Sequence, residues 1–325
     1  MNILLNSTVY NFNFYITILI FSVINFFLFE FYKNFCSSFK FLDIPNKRSS
    51  HTIATPKGAG IVFAITSIIF IIFIFNYSYI LILIPLLIIG FLDDFKGVSR
   101  ISRLFVQFFT SLFIVYNSNL FKFFTLSNGN LENLFFFIFL ITCSIGIINF
   151  FNFSDGIDGL VASSGSIYLI LIGIFTNPIY LFIGVSLGVF LIFNWSPAKL
   201  FMGDVGSTFI GAIVVISSLS KNNSLDSLVS LLMIAPILID PFICVLRRLI
   251  SRQNIFIAHK THLYQRLHQS GWKHSYISLL YSAGTLLLSL SFIFFGISFG
   301  LVAFLVVFLI GIYLDFNHAV PFIRN

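Results

Sequence analysis

The chain has 325 residues, of which 58% are hydrophobic and only 9% charged, and its mean hydropathy is +1.02. Soluble domains carry roughly a quarter charged residues, so the composition excludes a soluble globular protein and predicts a polytopic, all-α integral membrane protein. The net charge of +7 matters less than its distribution, which follows loops between apolar runs; no nucleic acid partner is expected.

A crossing takes about 20 apolar residues to cover about 30 Å of hydrocarbon, so the uncharged runs convert into spans. Residues 12–29 give the first. Residues 58–92 are too long for one crossing and predict a hairpin turning near Asn76-Tyr77-Ser78. Residues 104–121 and 133–154 give the fourth and fifth. Residues 159–198 hold two more, with Thr176-Asn177-Pro178 as the turn. Residues 205–220 and 228–246 are the eighth and ninth. Residues 275–314 form a closing hairpin that bends near Gly296 or Gly300. The sum is about eleven transmembrane helices in one domain, residues 1–325. No Lys or Arg precedes Lys33, so the first run lacks the basic region of a cleaved signal peptide and reads as a retained helix. Cys36, Cys143 and Cys244 lie far apart and suggest neither a disulfide nor a metal spacing.

This topology puts loops 32–57, 93–103, 155–158, 195–204 and 247–274 and the C-terminal tail on one face. They carry all but Lys122 and Lys221 of the 18 Lys and Arg residues. Such a bias marks the cytoplasmic side. The same face collects Asp43, Asp93, Asp94, Asp155, Asp158 and Asp204. Basic residues serve topology, but paired aspartates do not, and this mixture reads as an active site at the membrane surface.

Five stretches carry the chemistry. Asp93-Asp94 closes the third span. Neighbouring helix residues point about 100° apart, so the two carboxylates take different parts. Acids at a helix C-terminus also oppose the dipole. Asn149, Asn152, Asp155 and Asp158 recur every three residues. The two amides share a helix face, and Gly156 and Gly159 allow a break before the two acids; the bland reading is an Asx-rich turn. Gly203-Asp204-Val205-Gly206-Ser207 opens a helix, a setting suited to phosphate, with a carboxylate suited to a hard cation; plain N-capping is the alternative.

The basic loop His259-Lys260-Thr261-His262-Leu263-Tyr264-Gln265-Arg266-Leu267-His268 is better matched to a diphosphate than to a metal, since no cysteine or dense acid cluster accompanies its histidines in sequence. The loop from Asp43 to Gly58 carries Arg48, His51 and Lys57. Asp240, inside the ninth span and seven residues before Arg247, shares a helix face with it and is expected to form a structural ion pair or to support neighbouring residues rather than to take part in catalysis.

These pieces, in this order from about residue 43 to 274, resemble the polyprenyl-phosphate N-acetylhexosamine-1-phosphate transferase family, glycosyltransferase family 4. The resemblance implies transfer of an N-acetylhexosamine-1-phosphate from a UDP-N-acetylhexosamine to undecaprenyl phosphate at the bacterial cytoplasmic (inner) membrane, with release of UMP. It implies Mg²⁺, with Mn²⁺ as the substitute, at Asn152 and Asp204. Asp93, Asp94, Asp155 and Asp158 would be the catalytic and positioning acids, with Asp93 handling the lipid phosphate. Arg48, Lys57, Asn149, His259, His262 and Arg266 would bind substrate. The partners are the nucleotide sugar, the lipid phosphate and the bilayer, and a homodimer is compatible. The loop His259–His268 and Asp93-Asp94-Phe95-Lys96-Gly97 are closer to the branch that initiates O-antigen and related surface glycans than to the peptidoglycan phospho-MurNAc-pentapeptide transferase, which stays as the alternative. A transporter is the rival from another class, but it should hold its polar groups near the midplane in related halves.

Overall fold

A computed structural model describes residues 12–39, 41–45, 53–126, 129–255, 257 and 259–322. Arg48 and His51 lie outside the described residues. Helix α1 (Phe12–Phe39) leads into a two-residue strand pair, β1 (Leu42–Asp43) antiparallel to β2 (Thr55–Pro56), with Leu42 opposite Pro56. Helix α2 (Gly60–Phe75) stops at Asn76, which takes the left-handed conformation at φ 50° and donates its N–H to Ile72. A 3₁₀ turn (Ser78–Leu83) then returns the chain into α3 (Ile84–Lys96), so the first hairpin turns where its polar triplet predicts.

Ser99 caps α4 (Arg100–Asn117). Ser118 then caps α5 (Asn119–Thr125), bent by 58° from α4. Helix α6 (Asn130–Ser154) is followed by the pair α7 (Leu160–Phe175) and α8 (Ile179–Asn194), joined across Thr176-Asn177-Pro178. Next come α9 (Gly203–Leu219), α10 (Ser224–Met233), α11 (Ala235–Ile250), α12 (Leu263–Gln269) and α13 (His274–Asn317).

Two apolar runs differ in form from simple spans. Residues 228–246 are not one straight helix: α10 and α11 meet at 90°. Pro236 sits in the first turn of α11, where its missing N–H is tolerated but cannot continue a helix from α10. Helix α13 is broken at Gly296, with φ 80° and ψ −171°. Past it the chain doubles back, so that a Cβ on Gly300 would strike the ring of Phe292 and Gly284 faces Val307. The closing hairpin therefore turns at Gly296.

Helix fills every apolar run. By length and apolarity four helices among the described residues qualify as spans, or up to six if each bent pair counts as one. Helices α2, α7, α8 and α9 are shorter apolar helices. At about 1.5 Å per residue, the 16 residues of α7 reach about 24 Å, short of a 30 Å core. Length and apolarity alone thus stop well below eleven.

Helix α9 is the axis of the bundle. Every residue from Val205 to Leu219 is buried, against α2, α3 and α6. Glycine permits the close approaches. A Cβ on Gly60 would collide with the backbone of Gly206, and one on Gly90 with the backbone of Val205. In a bilayer, small residues that let backbones touch are a main source of helix association. Phe12, Phe73 and Phe105 are exposed on the outer surface, where lipid replaces water as solvent.

Candidate active site

The polar loops meet at one end of the bundle. Backbone hydrogen bonds stitch residues 56–60 to 201–202: Phe201 N–H to Pro56, Ala59 N–H to Phe201 and Gly60 N–H to Met202. This brings the start of α9 beside the start of α2, and the end of α3 joins them through Asp94. Asp94 accepts from the backbone N–H groups of Asp204 at 3.0 Å and Val205 at 3.2 Å. It satisfies two of the free donors that open every helix and places a negative charge at the favourable end of the α9 dipole. The conflict seen at the C-terminus of α3 is resolved because the carboxylate serves another helix.

Asp93 turns elsewhere, as the 100° offset requires. Its Oδ1 accepts from Val98 N–H, and its Oδ2 lies 2.7 Å from Arg103 Nη1. The same Arg103 nitrogen lies 2.6 Å from Asp204 Oδ2. One guanidinium therefore joins the acids of α3 and α9. On the far side of Asp204, Asn152 Nδ2 donates to Asp204 Oδ1 at 2.9 Å and to Ser207 Oγ at 3.1 Å. Asn152 and Asp204 thus meet across α6 and α9.

The stretch from Asn149 to Asp158 divides differently from its expected halves. Asn149 pairs with Gln107 of α4, donating at 2.7 Å, and with the Ile145 carbonyl. Its amide, half-buried, serves here as a helix–helix link. Helix α6 ends at Ser154, and Asp155 and Gly159 leave helical geometry, Gly159 at φ 77°, which confirms the break.

Asp158 is buried and held by neighbours. Its Oδ2 lies 3.3 Å from His274 Nδ1 and accepts from Ala198 N–H at 3.2 Å, and Ser278 Oγ donates to its carbonyl. Burial works to raise this carboxyl, but the hydrogen bond and charge of His274, helped by Ala198 N–H, hold it below the usual range. Its geometry fits a clamp on the loop better than a reactive acid.

Asp155 is the contrast. Its carboxyl makes no hydrogen bond or ion pair among the described residues. Burial pushes it well above the usual range, and the charges of Asp204, Asp94 and Asp158 add to this. An acid so placed is stabilised by any cation that joins it.

Oxygen donors from Asp204, Asn152, Asp93 and Asp155 are the hard set that Mg²⁺ or Mn²⁺ takes. The unpartnered Asp155 carboxyl shows that the acid cluster has donor capacity left over. The donor types fit such an ion; in this arrangement Asn152 Nδ2 and Arg103 Nη1 face Asp204, and the carboxylates do not gather into one ligand group among the described residues.

Two sequence expectations are overturned around α12. Arg266 is only 4% exposed and is tied to Asp315 and to the carbonyls of Thr261 and Val320. It anchors the C-terminal tail, with Nε, Nη1 and Nη2 each bonded inside the protein. Asp240 does not pair with Arg247, which goes to Asp315. Instead it accepts from Leu263 N–H at 2.7 Å, Tyr264 N–H at 3.1 Å and Tyr281 Oη at 2.6 Å. It caps α12 as Asp94 caps α9.

His262, the residue before α12, is also buried at 4% exposure, with its ring stacked on that of Tyr264. His259 is half-buried. Burial, with the charges of His262 and Arg248, draws His259 down to about 4. The two rings lie 5.0 Å apart, and Cys244 of α11 joins them, although no cysteine neighbours them in sequence. Lys57 lies close enough to Asp94 to act on its charge.

Three residues of this region were not singled out in the sequence. Arg103 was counted only toward topology. Gln107 gave no signal at all. Tyr264 bonds the Phe153 carbonyl at 2.8 Å and packs where a side chain on Gly156 would stand, fixing α12 against the end of α6.

Comparison with known proteins agrees with this geometry. The model of the family described as "Glycosyl transferase family 4" matches residues 76–222, which span α3 to α9 and hold Asp93, Asp94, Arg103, Asn152, Asp155, Asp158 and Asp204. The chain is 30% identical to the phospho-N-acetylmuramoyl-pentapeptide-transferase of Fervidobacterium nodosum over 261 residues, 74% of this chain and 83% of that protein. It is 32% identical over 192 residues to the protein of the same name from Kosmotoga olearia, 52% of this chain and 60% of that protein. It is also 30% identical over 198 residues to the undecaprenyl-phosphate alpha-N-acetylglucosaminyl 1-phosphate transferase of Thermotoga maritima, 61% of this chain and 62% of that protein. Against these last two the chain spans about three fifths of the relative's length.

Proposed function

The chain belongs to glycosyl transferase family 4, and from that premise we propose that it transfers an N-acetylhexosamine-1-phosphate from a UDP-sugar to undecaprenyl phosphate. An oxygen of the lipid phosphate attacks the phosphorus that carries the sugar. The P–O bond to UMP breaks, UMP takes the electron pair, and a polyprenyl-diphosphate sugar remains in the membrane. The observation that supports this most is the meeting of Asp93, Arg103, Asn152 and Asp204 at one end of the bundle, beside an Asp155 carboxyl with no partner among the described residues. An acceptor that lives in the bilayer and a donor that lives in water can meet only at such an interface.

Each residue has a part in this reading. Asp204 and Asn152, with Asp155 in reach of the Asp204 charge, would hold Mg²⁺ or Mn²⁺. A divalent ion held there would supply positive charge to offset that of the diphosphate and of departing UMP. Asp93 orients the lipid phosphate; a phosphate monoester is largely ionised near pH 7, so orientation matters more than proton removal. Arg103 fixes the spacing of the two acids it joins. Asp94 and Asp158 position the start of α9 and the 155–158 loop. Lys57, on a loop at the same end, contacts the diphosphate or sugar. In this reading about eleven crossings put all of these loops in the cytoplasm of a bacterium. The sugar is N-acetylglucosamine or a 6-deoxy derivative, and the product starts a surface glycan; peptidoglycan synthesis is the alternative.

Purified protein with undecaprenyl phosphate, Mg²⁺ and a panel of UDP-sugars tests the reading through UMP release and lipid-linked product. Turnover of a UDP-N-acetylhexosamine supports it. Turnover of UDP-MurNAc-pentapeptide alone moves the chain to the peptidoglycan branch. No product from any donor overturns the transferase reading.

A further inference from the structure

We propose that Cys244, His259 and His262 form a second metal site, for Zn²⁺ or an ion of similar softness, separate from the carboxylate site. One ligand atom from each of these three lies within 4.8 Å of the others, and they are the one such group of His, Cys, Asp or Glu among the described residues. Thiolate and imidazole are the donors that select zinc over magnesium. The acids and amide at the start of α9 are the opposite set, all oxygen.

A second observation points to a ligand. His262 is buried, yet its Nδ1 has no hydrogen-bond partner, and Asp240 Oδ1 stands 3.9 Å away, too far for a bond. An unpaired buried nitrogen costs about 1–3 kcal/mol, which an ion at this site relieves, either by binding Nδ1 or by drawing Nδ1–H onto Asp240 while Nε2 binds. Asp240 would then orient its histidine as carboxylates commonly do behind zinc ligands.

Thr261 supplies the matching support on the other arm. Its Oγ1 lies 2.9 Å from His259 Nδ1 and 3.3 Å from Cys244 Sγ. With His259 Nδ1–H donating to Thr261, and Thr261 donating to sulfur, Nε2 of His259 keeps its lone pair. Burial also favours neutral forms of both histidines, the forms that bind metal. Three protein ligands leave a fourth position for water or another donor.

The consequence is a clasp. Cys244 belongs to α11, while His259 and His262 belong to the strand of chain that leads into α12. An ion across them fastens that connection to the bundle. On binding, the Cys244 thiol proton leaves to solvent.

Titration of the metal-free protein with Co²⁺ and Zn²⁺ decides it. Co²⁺ should bring up a sulfur-to-cobalt charge-transfer band in the near ultraviolet, which an all-oxygen site cannot produce, and Zn²⁺ should abolish it at one ion per chain. Cys244→Ala should remove the band and weaken Zn²⁺ at least about tenfold, the smallest loss that even changes behind the ligands cause. Cys143→Ala, in α6, should change neither. Absence of the band in the unaltered protein overturns the site, whether or not Cys244→Ala folds. A band that survives in Cys244→Ala also overturns it.

Discussion

Asp94 offers the sharpest test, because its geometry separates holding from reacting. Asp94→Ala removes the acceptor of two backbone N–H groups, those of Asp204 and Val205. Val205 is fully buried, and Gly203 packs directly on the Asp94 carboxylate, so water has little access to replace it. A buried donor left unmade costs about 1–3 kcal/mol, and loss of a helix cap alone about 1 kcal/mol. Counting one donor at full cost and the other as partly rehydrated gives a destabilisation of about 2–4 kcal/mol. Asp94→Asn keeps one acceptor oxygen and should lose about half of that. Thermal unfolding in detergent micelles, followed by tryptophan fluorescence, should rank wild type above Asn and Asn above Ala. Turnover should fall in the same order. If Asp94→Ala melts with the wild type yet does not turn over, the carboxylate acts on substrate and the capping argument fails.

Other outcomes follow from neighbouring contacts. Asp204→Asn should abolish UMP release, with excess Mg²⁺ restoring little; near-normal activity at low Mg²⁺ would take Asp204 out of the metal site. Arg103→Met should lower stability by only about 1 kcal/mol, because the side chain is 30% exposed and screened, but should cut turnover more than Arg103→Lys does; equal rates for both would show that the charge bridge is unused. Gly60→Ala should prevent close seating of α2 on α9 and lower the melting temperature, and an unchanged melting curve would contradict the contact with Gly206. In metal-free protein, His259 is drawn down to about 4 from an ordinary value near 6.5. The unfolded chain therefore takes up its proton first, and stability falls as pH drops through that window. His259→Gln should flatten this part of the acid limb, and an identical pH profile in the variant would show that the ring is not buried as described.

Short-range signals in the sequence carry most of the fold. Asn76, the Thr176-Asn177-Pro178 turn, the break at Gly156–Gly159 and the bend at Gly296 all act within a few residues, through positive φ or a missing N–H. The Asn152–Asp204 contact joins two residues that the family resemblance had paired, though they lie on different helices. What failed was partner choice across long gaps. Asp240 was matched to Arg247 by helix spacing, but its partners are the backbone donors of α12, which carry no sequence signature. Arg266 looked like a phosphate ligand because Asp315 is 49 residues away. Cys244 was dismissed for want of neighbours, and its neighbours arrive only when the chain folds back after α11. Residues 228–246 matched a span in length and apolarity, while Pro236 alone hinted at the turn.

The two consecutive acids at the end of α3 tie one helix to another by two independent strings. Asp94 grips the backbone at the start of α9, while Asp93, through Arg103, grips the side chain of Asp204 on that same turn. Neither the peptide nor the carboxylate of Asp204 can shift without moving α3. The first turn of α9, where the proposed cation would sit, is thus gauged by a helix whose own shaft is apolar enough to lie in lipid, so that a change in the tilt of α3 would be felt at Asp204.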